Sequence, residues 1–237
     1  YSFFSLYANI DGFYYKETDI PLDKRPELDR WILSSLYSII AQVDEHFDNY
    51  EPTKAARLIS SFVTEDLSNW YVRLSRRRFW KGTYEEDKIS AFQTLYTCLI
   101  SIAKLMAPIA PFYADRLYQD LDATTEKEQY ASVHLAYFPT ANNEFIAADL
   151  EKKMQLAQRI VSLVLSIRKK EKIKVRQPLK KVLIPAQDSQ EKQAIVEVSD
   201  LIAAEVNVKT IEILDDASSI LVKEIKPNFK TLGPRFG

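Results

Sequence analysis

From Leu28 to Leu74 the apolar residues return at steps of three and four, and a chain with that rhythm folds most simply as helices that each bury one stripe. In PELDRWILSSLYSIIAQVDEHF the stripe is Leu28, Ile32, Leu36, Ile39, Ile40, Val43 and Phe47. Pro26 suits a first turn, where a missing N–H costs nothing, and Asn49 suits the end. Pro52 opens a second predicted helix, striped by Ala55, Ile59, Phe62, Val63, Leu67, Trp70 and Leu74, that runs to about Trp80 and stops at Gly82. A third starts near Glu85 and carries Ile89, Phe92, Tyr96, Leu99 and Ala103. MAPIAPF breaks it, because Pro108 and Pro111 remove donors and clash with the preceding turn. A short helix resumes to about Leu121. Connections of a few residues between such helices make antiparallel neighbours in a bundle.

Ala123 to Asn143 is polar and lacks helical periodicity, with SVHLAYFP inside it. A further helix is predicted over about Asp149 to Lys170, with Leu150, Met154, Ala157, Ile160, Val161, Val164 and Ile167 on its stripe. The period then changes. KKVLIPA, VKTIEIL and SILVKEI are short β-branched runs, with a helix near Gln190–Ala204 between the first two, and strand, helix, strand, strand reads as a small α+β module. The expected fold is mainly α: an antiparallel helical bundle with its trailing connector over 1–144, then a basic helix and a small α+β domain over 145–237. Charge divides at the same place. Residues 1–144 hold 15 Lys/Arg and 21 Asp/Glu, or −6, and residues 145–237 hold 17 and 12, or +5, so the overall −1 hides an acidic bundle and a basic tail.

Several function classes are disfavoured by what is sparse. The four glycines, Gly12, Gly82, Gly233 and Gly237, form no cluster where a backbone could cradle phosphate, so no ATP site is expected in this chain. The single cysteine, Cys98, excludes a disulfide framework and sits mid-helix among apolar residues, as a core residue would. His46 and His134 stand far apart with no second histidine at ligand spacing, so no metal site is expected. His134 reads as a structural histidine bonding a backbone carbonyl, since no nucleophile and orienting acid accompany it. No catalytic residue is assigned. The longest uncharged apolar run, TLYTCLISIA, is too short to span a bilayer, and no basic-then-apolar leader opens the chain. A reducing, cytoplasmic setting is expected.

Two basic clusters remain. NWYVRLSRRRFWKG mixes Arg73, Arg76, Arg77, Arg78 and Lys81 with Trp70, Tyr71, Phe79 and Trp80. At about 100° per residue Arg73 and Arg77 fall in line with the helix's own apolar stripe, as though the stripe were leaving the core. Guanidinium groups beside indole rings suit RNA, where arginine clamps phosphate and aromatic faces stack on unpaired bases. The competing reading pairs these arginines with Glu65, Asp66 or the acidic first helix and places the aromatics in the core. The second cluster, residues 168–181, carries eight Lys/Arg and one glutamate, or +7 in 14 positions. Lys172, Lys174 and Arg176 alternate with Ile173, Val175 and Gln177 as in the start of a strand with one basic edge, able to take phosphates in a salt-dependent way. A solvated surface loop is the alternative.

LDRWILSSL, YEPTKAARLISSFVTEDLSNWYVRLSRRRFW, APIAPF and SVHLAYFP together resemble the anticodon-binding helical bundle of class Ia aminoacyl-tRNA synthetases. IKVRQPL, EVNVKTIEIL and KPNFKTLG, in that order, resemble the C-terminal region of the isoleucyl-tRNA synthetases, and WYVRLSRRRFW resembles their eukaryote-like branch, also found in some bacteria. The resemblance covers nearly the whole chain. It implies a C-terminal fragment that grips the anticodon arm of an isoleucine-accepting tRNA, acting as a monomer with no DNA or membrane partner. The parent enzyme would attach isoleucine to tRNA using ATP and Mg. The family's His-Ile-Gly-His-type and Lys-Met-Ser-Lys-Ser-type signatures do not occur here, so the fragment is expected to be inactive alone and to hold no cofactor. The expected tRNA contacts are Trp70, Arg73, Arg76, Arg77, Trp80 and Lys81 from the bundle, and Lys170, Lys172, Lys174 and Arg176 from the tail. Rival readings are the same region of a valyl or leucyl enzyme, and a non-enzymatic helical RNA-binding or adaptor protein.

Overall fold

Proline and short polar links mark out the helices much as the pattern requires. The computed structural model describes residues 1–81, 83–186 and 188–214. Helix α1 covers Ser2–Asp11, α2 Glu27–Asp48 and α3 Pro52–Ser61, with Pro26 as the N-cap of α2 and Pro52 in the first turn of α3. A π-helical stretch, Phe62–Val72, leads directly into α4, Arg73–Trp80. Then come α5, Glu86–Met106, and α6, Pro111–Thr125, separated by the proline break. Helix α7 covers Ala148–Lys170, β1 Leu179–Pro185, α8 Ser189–Glu197, α9 Ser199–Val206 and β2 Val208–Leu214. The architecture is mainly helical with a small two-stranded parallel sheet. The predicted stop at Gly82, the predicted third strand SILVKEI and the KPNFKTLG segment lie outside the described residues.

The chain divides into two compact units, Tyr1–Glu151 and Lys152–Gly237, so the division falls in the first turn of α7 rather than at 144/145. The reason is local. Glu151 Oε1 accepts from Ser38 Oγ at 2.8 Å and from Ser34 Oγ, which ties the start of α7 to α2. Phe145 lies on Tyr37, 4.6 Å between ring centroids, and so carries the connector along α2.

In the first unit α5 is the central element, with Phe92, Leu95, Tyr96, Cys98, Leu99, Ile102 and Ala103 all buried. Burial raises the Cys98 thiol well above the usual range, so it stays protonated. By length and hydropathy α5 is the one described helix that reaches a membrane span, but 72% of that window is buried inside the fold. Phe92 stacks on Phe13 at 4.8 Å and meets Phe79 edge-on at 5.0 Å, which fixes the end of α4 against α5.

The π stretch differs from the single regular helix predicted from Pro52 to Trp80. A π-helix closes i→i+5 rather than i→i+4, so each turn takes more residues and the stripe changes phase. Phe62 and Leu67 are accordingly five apart, and the buried stripe then continues by fours through Tyr71, Ser75 and Phe79, with Trp70 buried beside Tyr71.

In the second unit β1 and β2 pair in parallel, from Leu179 beside Val208 to Pro185 beside Leu214. Parallel partners need a crossover, supplied here by α8 and α9. The single helix predicted there is broken at Val198, where Ser199 Oγ donates to the Val196 carbonyl at 2.8 Å. Asp188 caps α8 by accepting from the Glu191 N–H at 2.7 Å. Asn207, left-handed at φ 51°, ends α9 and turns the chain into β2, a conformation asparagine tolerates better than most residues.

Candidate nucleic-acid interface

The phase shift decides which way the arginines of α4 point. With Tyr71, Ser75 and Phe79 inward and about 100° per residue, Arg73, Arg76, Arg77 and Trp80 fall within about 60° of one outward direction. All four are exposed, Trp80 by 55%, and so is Lys81. The expectation that Arg73 and Arg77 continue the apolar stripe is therefore corrected. The π stretch turns them to the opposite side, where they form a continuous guanidinium face ending in an indole. Lys81 Nζ stands 5.3 Å from the centre of the Trp80 ring. Arg73 Nε donates to the Asn69 carbonyl at 2.7 Å, and its guanidinium lies 5.9 Å from the Trp70 ring.

Trp70 is only 7% exposed, and this corrects its assignment as a tRNA contact. It belongs to the core side of the π stretch, and a ring so covered presents no face for a base to stack on.

Arg78, left out of the expected contact set, takes the structural role that the competing reading gave to arginine. Its Nη1 and Nη2 donate to Asp29 Oδ1 and Oδ2 at 2.6 and 2.8 Å, a two-pronged pair with a fully buried carboxylate of α2. Its Nε donates to Asp87 Oδ2 at 3.0 Å, at the start of α5. Asp29 also accepts from Tyr71 OH at 3.0 Å and Ser90 Oγ at 2.6 Å. Burial alone would lower the Arg78 pKa, but the bonds and charge of Asp29 hold it above its ordinary value, while burial pushes the Tyr71 phenol well up. The ion pair thus fastens α4 to α2 and α5, leaving the neighbouring arginines outside.

The tail cluster is built differently from its prediction. Residues 171–178 form turns rather than the start of a strand, and β1 begins only at Leu179. Lys170, Lys172, Lys174 and Arg176 are all exposed, and among the described residues none of the four is in an ion pair. Arg168, counted in the sequence as one more surface charge, is 2% exposed, while the stripe residue Ile167 is exposed. His134 is exposed and its ring has no carbonyl partner among the described residues, so the expectation of a structural histidine bonding a backbone carbonyl does not hold. No group of three His, Cys, Asp or Glu that could hold a metal occurs among the described residues.

The sequence profile of the anticodon-binding domain of tRNA ligases matches residues 29–184. The chain belongs to this anticodon-binding domain family. The matched span runs from Asp29, the buried anchor of α4, to Ile184 in β1, and it includes both basic surfaces of this anticodon-binding domain. Over all 237 residues the chain is 57% identical to an isoleucine–tRNA ligase of Bacteroides fragilis, covering 21% of that protein. An isoleucine–tRNA ligase of Chlamydia trachomatis is 44% identical over the same 237 residues, with 22% of it covered. One from Dehalococcoides mccartyi is 44% identical over 211 residues, 89% of this chain and 21% of the relative. The chain thus spans about a fifth of the length of the curated relatives it matches.

Proposed function

We propose that this chain is the part of an isoleucine–tRNA ligase that grips the anticodon arm of an isoleucine-accepting tRNA. The observation that supports the reading best is the outward face of α4, where Arg73, Arg76, Arg77 and Trp80 are all exposed and Lys81 stands beside the Trp80 ring. Anticodon-loop bases are unpaired and flanked by phosphates, so they call for an aromatic face beside guanidinium groups. The whole enzyme attaches isoleucine to tRNA with ATP and Mg, handled outside this chain. The enzyme works as a monomer in the cytoplasm, and the short connections between its bundle helices set them antiparallel.

Binding of isoleucine-accepting tRNA to this chain is expected to weaken steeply with salt. About three to six phosphate contacts, each releasing ~0.7–0.9 counterion, give a log–log slope of about −2 to −5. Fluorescence titration at several salt concentrations reads this slope, and a value near zero would remove both basic surfaces from the interface. The chain alone is also expected to show no isoleucine-dependent exchange of pyrophosphate into ATP. Exchange above a buffer control, in protein freed of host synthetase, would place an adenylation site within these residues.

A further inference from the structure

The geometry points to Arg168 as the positioning residue for the basic loop 170–176, holding it in a fixed shape that receives the sugar-phosphate backbone of tRNA; this rests on the tRNA-binding reading above. Arg168 sits on the buried side of α7, in line with Ile160, Val161 and Val164, where a helix of this pattern would carry an apolar residue. Its guanidinium meets no carboxylate within ion-pair distance among the described residues. It meets backbone carbonyls instead. Nη1 donates to Lys174 and Gln177 at 3.1 Å each, and Nη2 donates to Gln177 at 3.2 Å and Asn207 at 3.1 Å.

A buried charge is tolerated only when most of its donors are met, and here the carbonyls of Lys174, Gln177 and Asn207 meet both Nη groups, while the buried Nε has no hydrogen-bond partner among the described residues. The carbonyls of Lys174 and Gln177 turn inward onto Arg168 while the side chains of Lys172, Lys174 and Arg176 are exposed to solvent. Asn207 is a second clamp, donating from Nδ2 to the Val175 carbonyl at 2.9 Å while its own carbonyl accepts from Arg168 and from Leu179 N–H at 3.1 Å. The planar fork meets these three carbonyls from two separate nitrogens in a fixed geometry, which a compact lysine ammonium on a flexible stem does not copy. Arg168 also adds charge. Withdrawn from solvent, it is weakly screened, so it strengthens the positive field over a loop that has only Glu171 as a nearby acid in sequence.

A double-mutant cycle on the full chain tests the role. In the wild-type background, Lys174→Ala with Arg176→Ala is expected to reduce the salt slope of tRNA binding by about 1.5–2, the share of two phosphates. In an Arg168→Lys background, where the loop is no longer held, the same pair is expected to change the slope by less than about 0.5. Thermal melts confirm that the backgrounds are folded at the titration temperature. Should Arg168→Lys unfold the second unit, Asn207→Gly replaces it, because glycine keeps the left-handed turn while deleting only the Val175 bond. Asn207→Gly is expected to shrink the effect of the charge pair to about half. Equal losses in all folded backgrounds would overturn the positioning role and leave Arg168 as a folding element. No loss in the wild-type background would overturn the tail surface as a tRNA contact, a failure of the reading beneath the inference rather than of Arg168.

Discussion

Replacing Asp29 with alanine is expected to remove about 3–5 kcal/mol of folding stability, read as a lower urea midpoint at unchanged slope. Asp29 has no exposed surface, and it accepts from four donors: Arg78 Nη1 and Nη2, Tyr71 OH and Ser90 Oγ. Alanine removes this acceptor from all four. Tyr71 would keep only the Ala91 carbonyl at 3.4 Å, and Arg78 would keep only Asp87. Most of the loss comes from a guanidinium left partly buried without its anion, which is why breaking such a pair costs more than the pair contributes to stability. Asp29→Asn is expected to cost less, since the amide oxygen still accepts. A loss below about 1 kcal/mol for alanine would mean that water replaces the carboxylate freely, contrary to its burial. The effect also reaches function. Because the same pair fastens α4, Asp29→Ala protein that remains folded is expected to bind tRNA more weakly, although Asp29 itself touches none.

Asp29 and Arg168 show where the sequence could be read and where it could not. The three-and-four rhythm located α2, α5, α6 and α7 closely because burial of an apolar stripe determines each. Both hidden charges sit on those stripes: Asp29 leads Ile32, Leu33 and Leu36 in α2, and Arg168 follows Val161 and Val164 in α7. A charge on an apolar stripe was therefore a legible sign of a buried anchor. Net-charge counting obscured it by treating every arginine as surface. The partners were not legible, because Asp29 finds Arg78 and Arg168 finds Asn207 only through the tertiary fold. The π stretch was invisible for another reason. The steps of three and four from Ala55 to Leu74 fit an α-helix, and nothing in residue spacing marks a change to i→i+5 bonding. That one misreading gave the exposed arginines the wrong geometrical argument, whereas Trp70 lies on the apolar stripe in either reading and entered the expected site through its arginine neighbours.

The two tryptophans at either end of the cluster should therefore behave in opposite ways. Trp70→Ala is expected to cost about 3–5 kcal/mol of stability, as a large side chain leaving a core does, with a correspondingly lower melting temperature. Trp80→Ala is expected to leave the melting temperature within about 1–2 °C of the parent, because more than half of the residue is already in water. Its effect belongs to binding: a lost stacking partner weakens tRNA affinity by about 1–3 kcal/mol, or roughly 5- to 150-fold, with the salt slope nearly unchanged. Arg77→Ala, on the same outward face, is expected to lower that slope by about one phosphate's share instead. The three variants separate packing, stacking and charge along one helix. Trp80→Ala that melts early would place the ring in the core, and Trp80→Ala with wild-type affinity would remove the stacking platform from the interface. A reduced salt slope for Trp80→Ala would mean that the indole acts by holding Lys81, whose ammonium lies 5.3 Å from the ring, rather than by stacking on a base.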